Sequence, residues 1–488
     1  MSDMASLDSI DDLRGWLALA EKLGEVKTIT GAHWDKEIGA ASEANYKRPA
    51  PPALLFDDIV GHRTGQRVLT ASMSNARRLG MTLRLGTDLD DRALVEALRS
   101  KPGEWAANAS RYPVREVETG PVKENVVAGD AANLLDFPVP QWHEADGGRY
   151  IGTGCAVFTI DPGTGVLNAG AYRMQVQNDG RAASVNIEAG KHGAAHVREW
   201  FAREGRAPVT ASFGHDPLLL VVAGTEVPTG VSELEYAGAV LGRPVDVIRG
   251  EVTGLPIPAT SEIAVEGWLY PDRREQEGPF GEWTGYYSGG AEPVLTLDIE
   301  RIYHRDDPIQ LGAPPGKPPH DYSYMRSVMK SAMIQDALIQ AGLPGVEGVW
   351  AHEAGGGRQL LAVAVQQRYA GHARQAGYLA AQLPAAAYMN KFVVVVDADV
   401  NPRSLSDVVW AMCTRTDPAE DIETMRKTWG SRVDPLREKD APPFNTRAVI
   451  DACRPWSRID SFPPVAEASE ELIDRVVRRW PDALGGSW

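Results

Sequence analysis

The sequence predicts a mixed α/β protein of several domains, and three observations lead to that fold class. The chain has 488 residues, which is too long for one hydrophobic core and predicts two or three domains. Its middle part consists of short segments rich in β-branched residues between Gly, Pro and Asp turns. Its last third alternates strand-like and helix-like segments. We therefore expect an N-terminal α/β domain, a central β-barrel and a C-terminal layered α/β domain.

The N-terminal domain is predicted over residues 1–125. A helix is expected from about residue 11 to 23, because its apolar residues recur at helical spacing and a glycine follows it. Strand-like pieces follow at 52–59 and 66–72, and a helix with one polar face is expected at 88–100.

The central barrel is predicted over residues 126–315, because helices are sparse there. Helices are expected at 196–205 and 233–242. Strands are expected in five segments: AVFTI at 156–160, ASVNIEA at 183–189, LLLVVAG at 218–224, EIAVEGWL at 262–269 and VLTLDIERIYH at 294–304.

The C-terminal domain is predicted over residues 316–488, starting within a loop rich in Pro and Gly at 311–324. A helix at 325–341 leads into alternating strands and helices. The continuous apolar run FVVVV at 392–396 predicts a strand that is buried on both faces.

Composition limits the partners. The net charge is −16 (50 Lys and Arg against 66 Asp and Glu), and no basic block is present, which argues against nucleic acid. No apolar run approaches the roughly 20 residues of a membrane span, and the acidic N-terminus does not resemble a signal peptide. Cys155, Cys413 and Cys453 have no CxxC spacing, so neither a disulfide framework nor a zinc ribbon is indicated. We expect a cytoplasmic protein.

The segment EGPFGEWTGYY at 277–287 places Glu277 and Glu282 around a Pro-Phe-Gly turn, followed by three aromatic residues. A carboxyl group enclosed by apolar rings has a raised pKa and is suited to proton transfer near neutral pH. Ordinary core packing explains each aromatic residue equally well.

Three further motifs suggest a site that binds a metal cation together with an anion such as a phosphate. Asn168 lies beside small residues in LNAGAYRMQVQ, His192 precedes a predicted helix in GKHG, and Glu233 begins a helix in VSELEYAG. Each alone has an ordinary structural explanation, as a strand end, a solvated or capping histidine, or a helix-capping acid. Together they offer an amide oxygen, an imidazole and a carboxylate, a set that suits Mn²⁺ or Mg²⁺ better than zinc. A zinc pair of His192 with His196 lacks a third soft ligand.

These motifs, in this order, resemble the UbiD family of reversible decarboxylases, which use prenylated FMN. The resemblance spans about residues 120–415, and GKHG and EGPFGEWTGYY are most similar to the vanillate and hydroxybenzoate decarboxylase branch. Six segments carry it: NAGAYRMQVQ, GKHGAAH, GVSELEYAGAVLGRPVDVIRG, PATSEIAVEG, EGPFGEWTGYY and KFVVVVDADV.

The resemblance implies a role for each matching residue. It implies that the predicted central barrel is a split β-barrel similar to that of flavin reductases, and that this barrel binds the cofactor. Asn168, His192 and Glu233 match ligands of a Mn²⁺ ion that bridges to the cofactor phosphate, with K⁺ as a further candidate ion. Glu277, Arg173 and Glu282 match a Glu-Arg-Glu triad in which Glu282 is the proton donor. The cofactor-contacting positions are Asn168, Ala171, Tyr172, Arg173, Lys191, His192, Glu233 and Lys391.

The implied reaction is the non-oxidative, reversible decarboxylation of an aromatic, heteroaromatic or α,β-unsaturated carboxylic acid, with CO₂ as the second product. A prenyl-FMN synthase would supply the cofactor. The chain length, a helix at 469–480 and the habits of the family also predict a homodimer or a higher homo-oligomer.

Substrate choice and two other classes of function stay open. The loop at 315–327 lies where family members line the substrate pocket, and His320 with Asp321 departs from the expected Glu-Asp pair. His320 could bind a phenol or a second carboxylate, or it could be an exposed loop residue without a role. The alternatives are a flavin-dependent oxidoreductase, which is disfavoured because no strand is followed by GxGxxG, and a catalytically silent assembly or maturation partner.

Overall fold

Four β-sheets organise the part of the chain that the computed structural model describes, which is Leu7 and residues 9–225, 227–438 and 440–484. Among the described residues, no helix has both the length and the apolar character needed to cross a bilayer.

The N-terminal region forms a small sheet covered by helices. The predicted first helix spans Leu13–Lys22 and begins at Asp12, whose side chain accepts a hydrogen bond from the Gly15 N–H at 2.7 Å. The helix predicted at 88–100 spans Asp91–Leu98. Three further helices are Glu37–Tyr46, Ala76–Thr82 and Lys101–Asn108, and the four strands in order are Val26–Thr30, Ala53–Asp57, Arg67–Thr70 and Ile309–Leu311.

The central region is built on a nine-stranded sheet that curls into a half-barrel. Its longest pair is the antiparallel hairpin Ile263–Glu277 and Glu292–His304. The order along the sheet is Tyr150–Gly152, Met174–Gln177, Ala182–Ser184, Glu292–His304, Ile263–Glu277, Ala207–Ser212, Ala156–Ile160 and Leu167–Gly170, with Asn125–Ala128 paired to Glu292–His304. A separate three-stranded sheet contains Pro256–Pro258, Asp246–Arg249 and Arg115–Glu116.

One predicted strand of this region is wrong and another is shorter than predicted. Residues Pro217–Ala223 form a helix, because Asp216 caps its first turn by accepting the Leu218 N–H at 3.0 Å, and a continuous apolar run has no periodicity that separates a strand from a buried helix. The segment predicted as a strand at 183–189 contributes only Ala182–Ser184. The two predicted helices are present as His192–Glu204 and Glu233–Leu241.

The C-terminal region is a layered α/β unit around a five-stranded sheet. Its central strand, Phe392–Asp397, carries four consecutive valines, and their burial confirms that this strand is covered on both faces. Helix His372–Gln382 packs on one face of the sheet and helix Leu405–Arg415 on the other. The strand order is Val346–Ala351, Leu360–Val365, Phe392–Asp397, Phe444–Ala452 and Ile422–Trp429. The remaining long helices are Asp321–Gln340 and Glu470–Arg479.

The chain returns to the N-terminal sheet before it enters the C-terminal region. Strand Ile309–Leu311 pairs in parallel with Arg67–Thr70. The buried carboxylate of Asp321 then accepts the backbone N–H groups of Ala71 and Met73 at 2.8 and 3.2 Å. The division at residues 125 and 315 stays a prediction.

A buried ion cluster fastens the first helix to the half-barrel. The Glu262 carboxylate is inaccessible to solvent and binds the Arg14 guanidinium through two contacts of 2.9 Å. Arg305 contacts the same carboxylate at 3.2 Å.

Replacing Glu262 by Gln should lower the free energy of unfolding by about 2 kcal/mol, because it removes the buried negative charge that accepts hydrogen bonds from both Arg14 and Arg305. Urea-induced unfolding followed by circular dichroism measures the loss. The matched control is Glu104→Gln, which removes the exposed Lys101 pair and should change stability by less than about 0.5 kcal/mol. Equal stability of the two variants would contradict the importance of the cluster.

Candidate active site

Arg173 lies between two acids that are more than 100 positions away in sequence. Its guanidinium binds Glu277 through two contacts, Nε to Oε1 at 2.7 Å and Nη2 to Oε2 at 2.9 Å. Its Nη1 donates to Oε1 of Glu282. Asn186 adds a donor to Oε2 of Glu277 at 2.8 Å. The three residues of the predicted triad are therefore in direct contact.

The two acids are in different environments. The Glu277 side chain is fully buried and receives three donated hydrogen bonds. Glu282 has its Oε1 on Arg173, and within the described residues no donor is bonded to its Oε2. Burial raises the pKa of Glu282 above its ordinary value, although the charge of Arg173 opposes the shift. Burial also opposes the charge on Arg173, but Glu282 and Glu277 overcome it and raise the arginine pKa.

The turn that carries Glu282 is held by residues that the sequence did not single out. The buried Asp146 carboxylate accepts the Gly281 N–H at 3.1 Å and the His143 N–H at 2.9 Å. Gln175 accepts the Gly278 N–H at 2.9 Å. Gly278 has a φ of 95°, and a Cβ there would approach the Gly290 carbonyl oxygen to 2.6 Å, so only glycine fits.

The aromatic residues of this turn have different surroundings. Phe280 lies under Arg173, with 5.1 Å between the guanidinium carbon and the ring centre, and it also packs on Tyr150. Trp283 packs against Gly356 and Arg326 of the C-terminal region. Tyr286 is 60% exposed and borders the mouth of a cavity. The ring that contacts the triad is thus Phe280.

Asn168 and Glu233 are adjacent. The Glu233 carboxylate accepts the Ala169 N–H at 2.8 Å, and burial raises the pKa of Glu233 to about 7. Within the described residues no Lys, Arg or His nitrogen lies within 4 Å of this carboxylate. The Asn168 Nδ2 donates to the Tyr172 hydroxyl at 3.4 Å, and a Cβ on Gly193 would lie 2.9 Å from that hydroxyl. Tyr172 therefore connects the Asn168 strand to the start of the helix that carries His192.

The two histidines of this helix have different partners. His192 Nε2 lies 3.4 Å from the Thr229 hydroxyl, whereas His196 Nδ1 lies 3.2 Å from the Thr159 hydroxyl. The described part of the chain contains no group of three or more His, Cys, Asp and Glu side chains that could hold a metal ion. Only two members of the predicted set belong to those residue types, because the third is Asn168. Lys191 is exposed immediately before the helix.

Lys391 is held by an acid in the C-terminal region. Its Nζ donates to Asp434 at 2.8 Å. Asp434 follows Val433, whose carbonyl oxygen accepts the hydroxyls of Ser288 at 2.8 Å and Thr284 at 3.3 Å. Lys391 is thus paired with the segment that docks on the Glu282 turn. Ala171 is half-buried and donates its N–H to the Ala223 carbonyl at 3.1 Å.

A cavity of about 180 Å³ lies next to the Glu282 turn. Its wall includes Tyr46 from the N-terminal region, Gly281 and Gly285 from the turn, and His320 from the loop predicted to line the pocket. The interpretation of His320 as an exposed residue is wrong, because its side chain is 2% accessible. Burial lowers the pKa of His320 to about 3.

Comparison with known proteins adds to this geometry. Family models of 3-octaprenyl-4-hydroxybenzoate carboxy-lyase match three successive parts of the chain: the N-terminal domain at residues 17–98, the Rift-related domain at 115–318 and the C-terminal domain at 323–452. These matches cover most of the sequence. The chain belongs to the UbiD family.

UbiD relatives with named activities are similar over most of their length. A phenolic acid decarboxylase of Bacillus subtilis is 31% identical over 425 residues, covering 84% of this chain and 86% of the relative. A pyrrole-2-carboxylic acid decarboxylase of Pseudomonas aeruginosa is 34% identical over 426 residues, covering 84% of each chain. The present UbiD protein is accordingly an enzyme of the carboxy-lyase class.

Solved UbiD structures share the whole fold. The vanillic acid decarboxylase of Sedimentibacter hydroxybenzoicus, in its open form, is 27% identical with a TM-score of 0.79, covering 97% of this chain and 100% of that one. The UbiD-class enzyme HmfF of Pelotomaculum thermopropionicum, in complex with FMN, is 25% identical with a TM-score of 0.81, covering 95% and 99%. The predicted multidomain α/β architecture is therefore confirmed at the level of the overall fold.

Asp146 should keep the Glu282 turn ordered, because its carboxylate accepts two backbone N–H groups. In the variant Asp146→Ala, hydrogen exchange of a peptide covering residues 278–287 should become at least about tenfold faster, since a lost buried hydrogen bond costs about 1–3 kcal/mol. Hydrogen–deuterium exchange with mass spectrometry measures the rate.

The matched control is Asp161→Ala, because Asp161 also accepts two backbone N–H groups, from Gly163 and Thr164. That variant should speed up exchange around residue 163 and leave 278–287 as in the wild type. If Asp146→Ala leaves the 278–287 peptide unchanged, Asp146 does not hold the turn.

Proposed function

We propose that this enzyme catalyses the reversible non-oxidative decarboxylation of an aromatic, heteroaromatic or α,β-unsaturated carboxylic acid with prenylated FMN. The observation that carries the proposal is the contact of Arg173 with both Glu277 and Glu282 beside a cavity. Family membership favours this activity over the flavin-dependent oxidoreductase. The half-barrel at 126–315 is proposed to be the split barrel that binds the cofactor, between α/β domains at 1–125 and 316–488.

The residues around Asn168 fit a flavin phosphate and a divalent ion. Glu233 is a buried acid without a neighbouring cation among the described residues, and a bound cation would compensate its charge. We propose that Asn168, His192 and Glu233 hold Mn²⁺, with K⁺ as a further ion, and that Ala171, Tyr172, Arg173, Lys191 and Lys391 contact the cofactor. When bound, prenylated FMN supplies the electron sink that decarboxylation at an unsaturated carbon requires.

Within this site, the protein binds the acid and moves one proton. Arg173 is the cation nearest to the two acids, and we propose that it orients the substrate carboxylate beside Glu282. Glu282 is the proposed proton donor, because burial favours its protonated form and its Oε2 is available to carry the proton. Glu277 keeps Arg173 in place through two contacts.

The cavity wall suits a substrate with a neutral polar group on its ring. His320 is neutral at physiological pH because of its low pKa, and it presents one N–H donor and one acceptor. Burial raises the pKa of the Tyr46 hydroxyl well above its ordinary value, so it stays protonated. Lys317 and Glu43 also line the cavity. We propose that the neutral His320 imidazole recognises a ring hydroxyl or a ring N–H of the substrate.

The proposed partners follow from the same family and from one surface feature. A prenyl-FMN synthase would supply the cofactor, and CO₂ is the second product. Helix Glu470–Arg479 leaves Leu472 and Ile473 exposed, and Trp480 after it is also exposed. We propose that this apolar face contributes to a homodimer or a higher homo-oligomer.

The variant Glu282→Gln should lose at least about 100-fold in kcat, because an amide cannot donate the proton, yet it should retain the flavin. Release of CO₂ by protein co-expressed with a prenyl-FMN synthase measures turnover, and the absorption spectrum measures flavin content. Glu292→Gln, an exposed position opposite Glu277 on the neighbouring strand, is the matched control and should behave like the wild type. Full activity of Glu282→Gln would remove Glu282 from the donor role.

The pH dependence of kcat should show an alkaline limb governed by Glu282. A proton donor is active only when protonated, so kcat should be constant below its pKa and should fall tenfold per pH unit above it. Because burial raises this pKa, the limb should begin above the ordinary carboxyl value of about 4.5. Initial rates between pH 5 and 9 test the prediction. A kcat that rises throughout this range would contradict it.

The variant His320→Phe should reduce discrimination between a hydroxylated aromatic acid and the same acid without its hydroxyl. The ratio of the two kcat/KM values should fall about 5- to 10-fold, the value of one hydrogen bond to a neutral group. Initial rates of CO₂ release with the two acids measure it. His352→Phe is the matched control, because His352 is equally buried but lies outside the cavity wall. An unchanged ratio would show that His320 does not recognise the ring substituent.

A further inference from the structure

A buried polar chain lies behind the proposed metal ligands. It connects Asn168 to Thr159 and then to His196, and it also includes Tyr172. Thr159 is 1% accessible and His196 is 8% accessible. Neither residue has a part in the proposed reaction. Thr159 nevertheless contacts Asn168 directly, and His196 contacts Thr159.

The sheet places Thr159 and Asn168 side by side. They are direct partners in the antiparallel pair formed by Ala156–Ile160 and Leu167–Gly170, so their side chains project from the same face. The Asn168 Nδ2 donates to the Thr159 hydroxyl at 3.4 Å and to the Tyr172 hydroxyl at 3.4 Å. The amide nitrogen thus donates one hydrogen to each of two hydroxyl oxygens.

The direction of these hydrogen bonds determines where the amide oxygen points. The Thr159 hydroxyl that accepts from Asn168 also lies 3.2 Å from His196 Nδ1, so it joins the amide to the imidazole. The Asn168 Oδ1 points away from these partners, and no donor in the described residues is bonded to it. Ala169, the next residue, donates to Glu233.

We propose that Thr159 and His196 are positioning residues that hold the Asn168 amide with its oxygen directed at the divalent ion. The proposal rests on the metal site of the proposed function. Reversing the amide would present an N–H₂ group to the cation, which cannot bind it. The partners of metal-binding side chains commonly change metal affinity by 10- to 100-fold when they are removed.

The same contact fixes the proposed imidazole ligand. His192 and His196 are one helical turn apart on His192–Glu204 and share a face of that helix. The hydrogen bond between His196 and Thr159 therefore fixes the position of this helix face relative to the Asn168 strand. One small polar chain sets the relative placement of two of the three ligands.

The test measures Mn²⁺ affinity of the purified full chain saturated with FMN, using the electron paramagnetic resonance signal of free Mn²⁺. Thr159→Val removes the hydroxyl and keeps the shape, and it should weaken Mn²⁺ binding by at least about tenfold. Thr159→Ser restores the hydroxyl and should bind within about threefold of the wild type. Thr210→Val makes the same change on the neighbouring strand, where the hydroxyl donates to the Pro256 carbonyl, and should leave the affinity unaltered.

Two results would overturn the proposal. In the first, Thr159→Val binds Mn²⁺ like the wild type while Asn168→Ala loses it. In the second, the valine and serine variants are equally weak, which would assign the effect to shape. If Asn168→Ala itself binds normally, the proposed metal site is wrong and this inference fails with it. If Thr159→Val does not fold, His196→Phe replaces it, with the same expected weakening and the melting temperature as the check on folding.

Discussion

The buried guanidinium of Arg173, shared by two carboxylates, is the interaction on which the rest of the site depends. A buried cation is costly unless opposite charges and hydrogen bonds compensate it. Glu277 is the last residue of the long strand Ile263–Glu277, whereas Arg173 immediately precedes Met174–Gln177. The half-barrel must bring the ends of these strands together before the charges can pair. The pairing of Arg173 with Glu277 therefore depends on the curvature of the sheet.

The two acids around Arg173 differ in the number of hydrogen bonds that their carboxylates accept. Glu277 receives three donated hydrogen bonds, two from Arg173 and one from Asn186. Glu282 has one, lies in a turn, and has a pKa raised by burial. Two carboxyl groups with different environments can take an electrostatic role and a proton-transfer role in one site. These different environments support the proposed division, in which Glu277 holds the arginine and Glu282 supplies the proton.

All three regions of the chain meet around the Glu282 turn. The central region supplies Asp146, which holds the turn from inside. The C-terminal region supplies Val433, which accepts two hydroxyls from it. The N-terminal region supplies Tyr46 to the cavity wall. Solvent exclusion around Glu282 therefore depends on how these regions pack, and Lys391 with Asp434 belongs to the same contact zone.

The sequence by itself determined the residue types of the site and those helices and strands that have a strong local pattern. Amphipathic periodicity located Leu13–Lys22, and four consecutive valines located the central strand Phe392–Asp397, because both patterns are local. The order of the motifs identified the family. Local pattern failed at Pro217–Ala223, where every residue is apolar and only the cap at Asp216 distinguishes a helix. The tertiary structure alone decided that Asp146 holds the turn, that Thr159 orients Asn168 and that His320 is buried. These facts depend on contacts across the folded chain, such as the one from Asp146 to Gly281, and no spacing along the sequence encodes them.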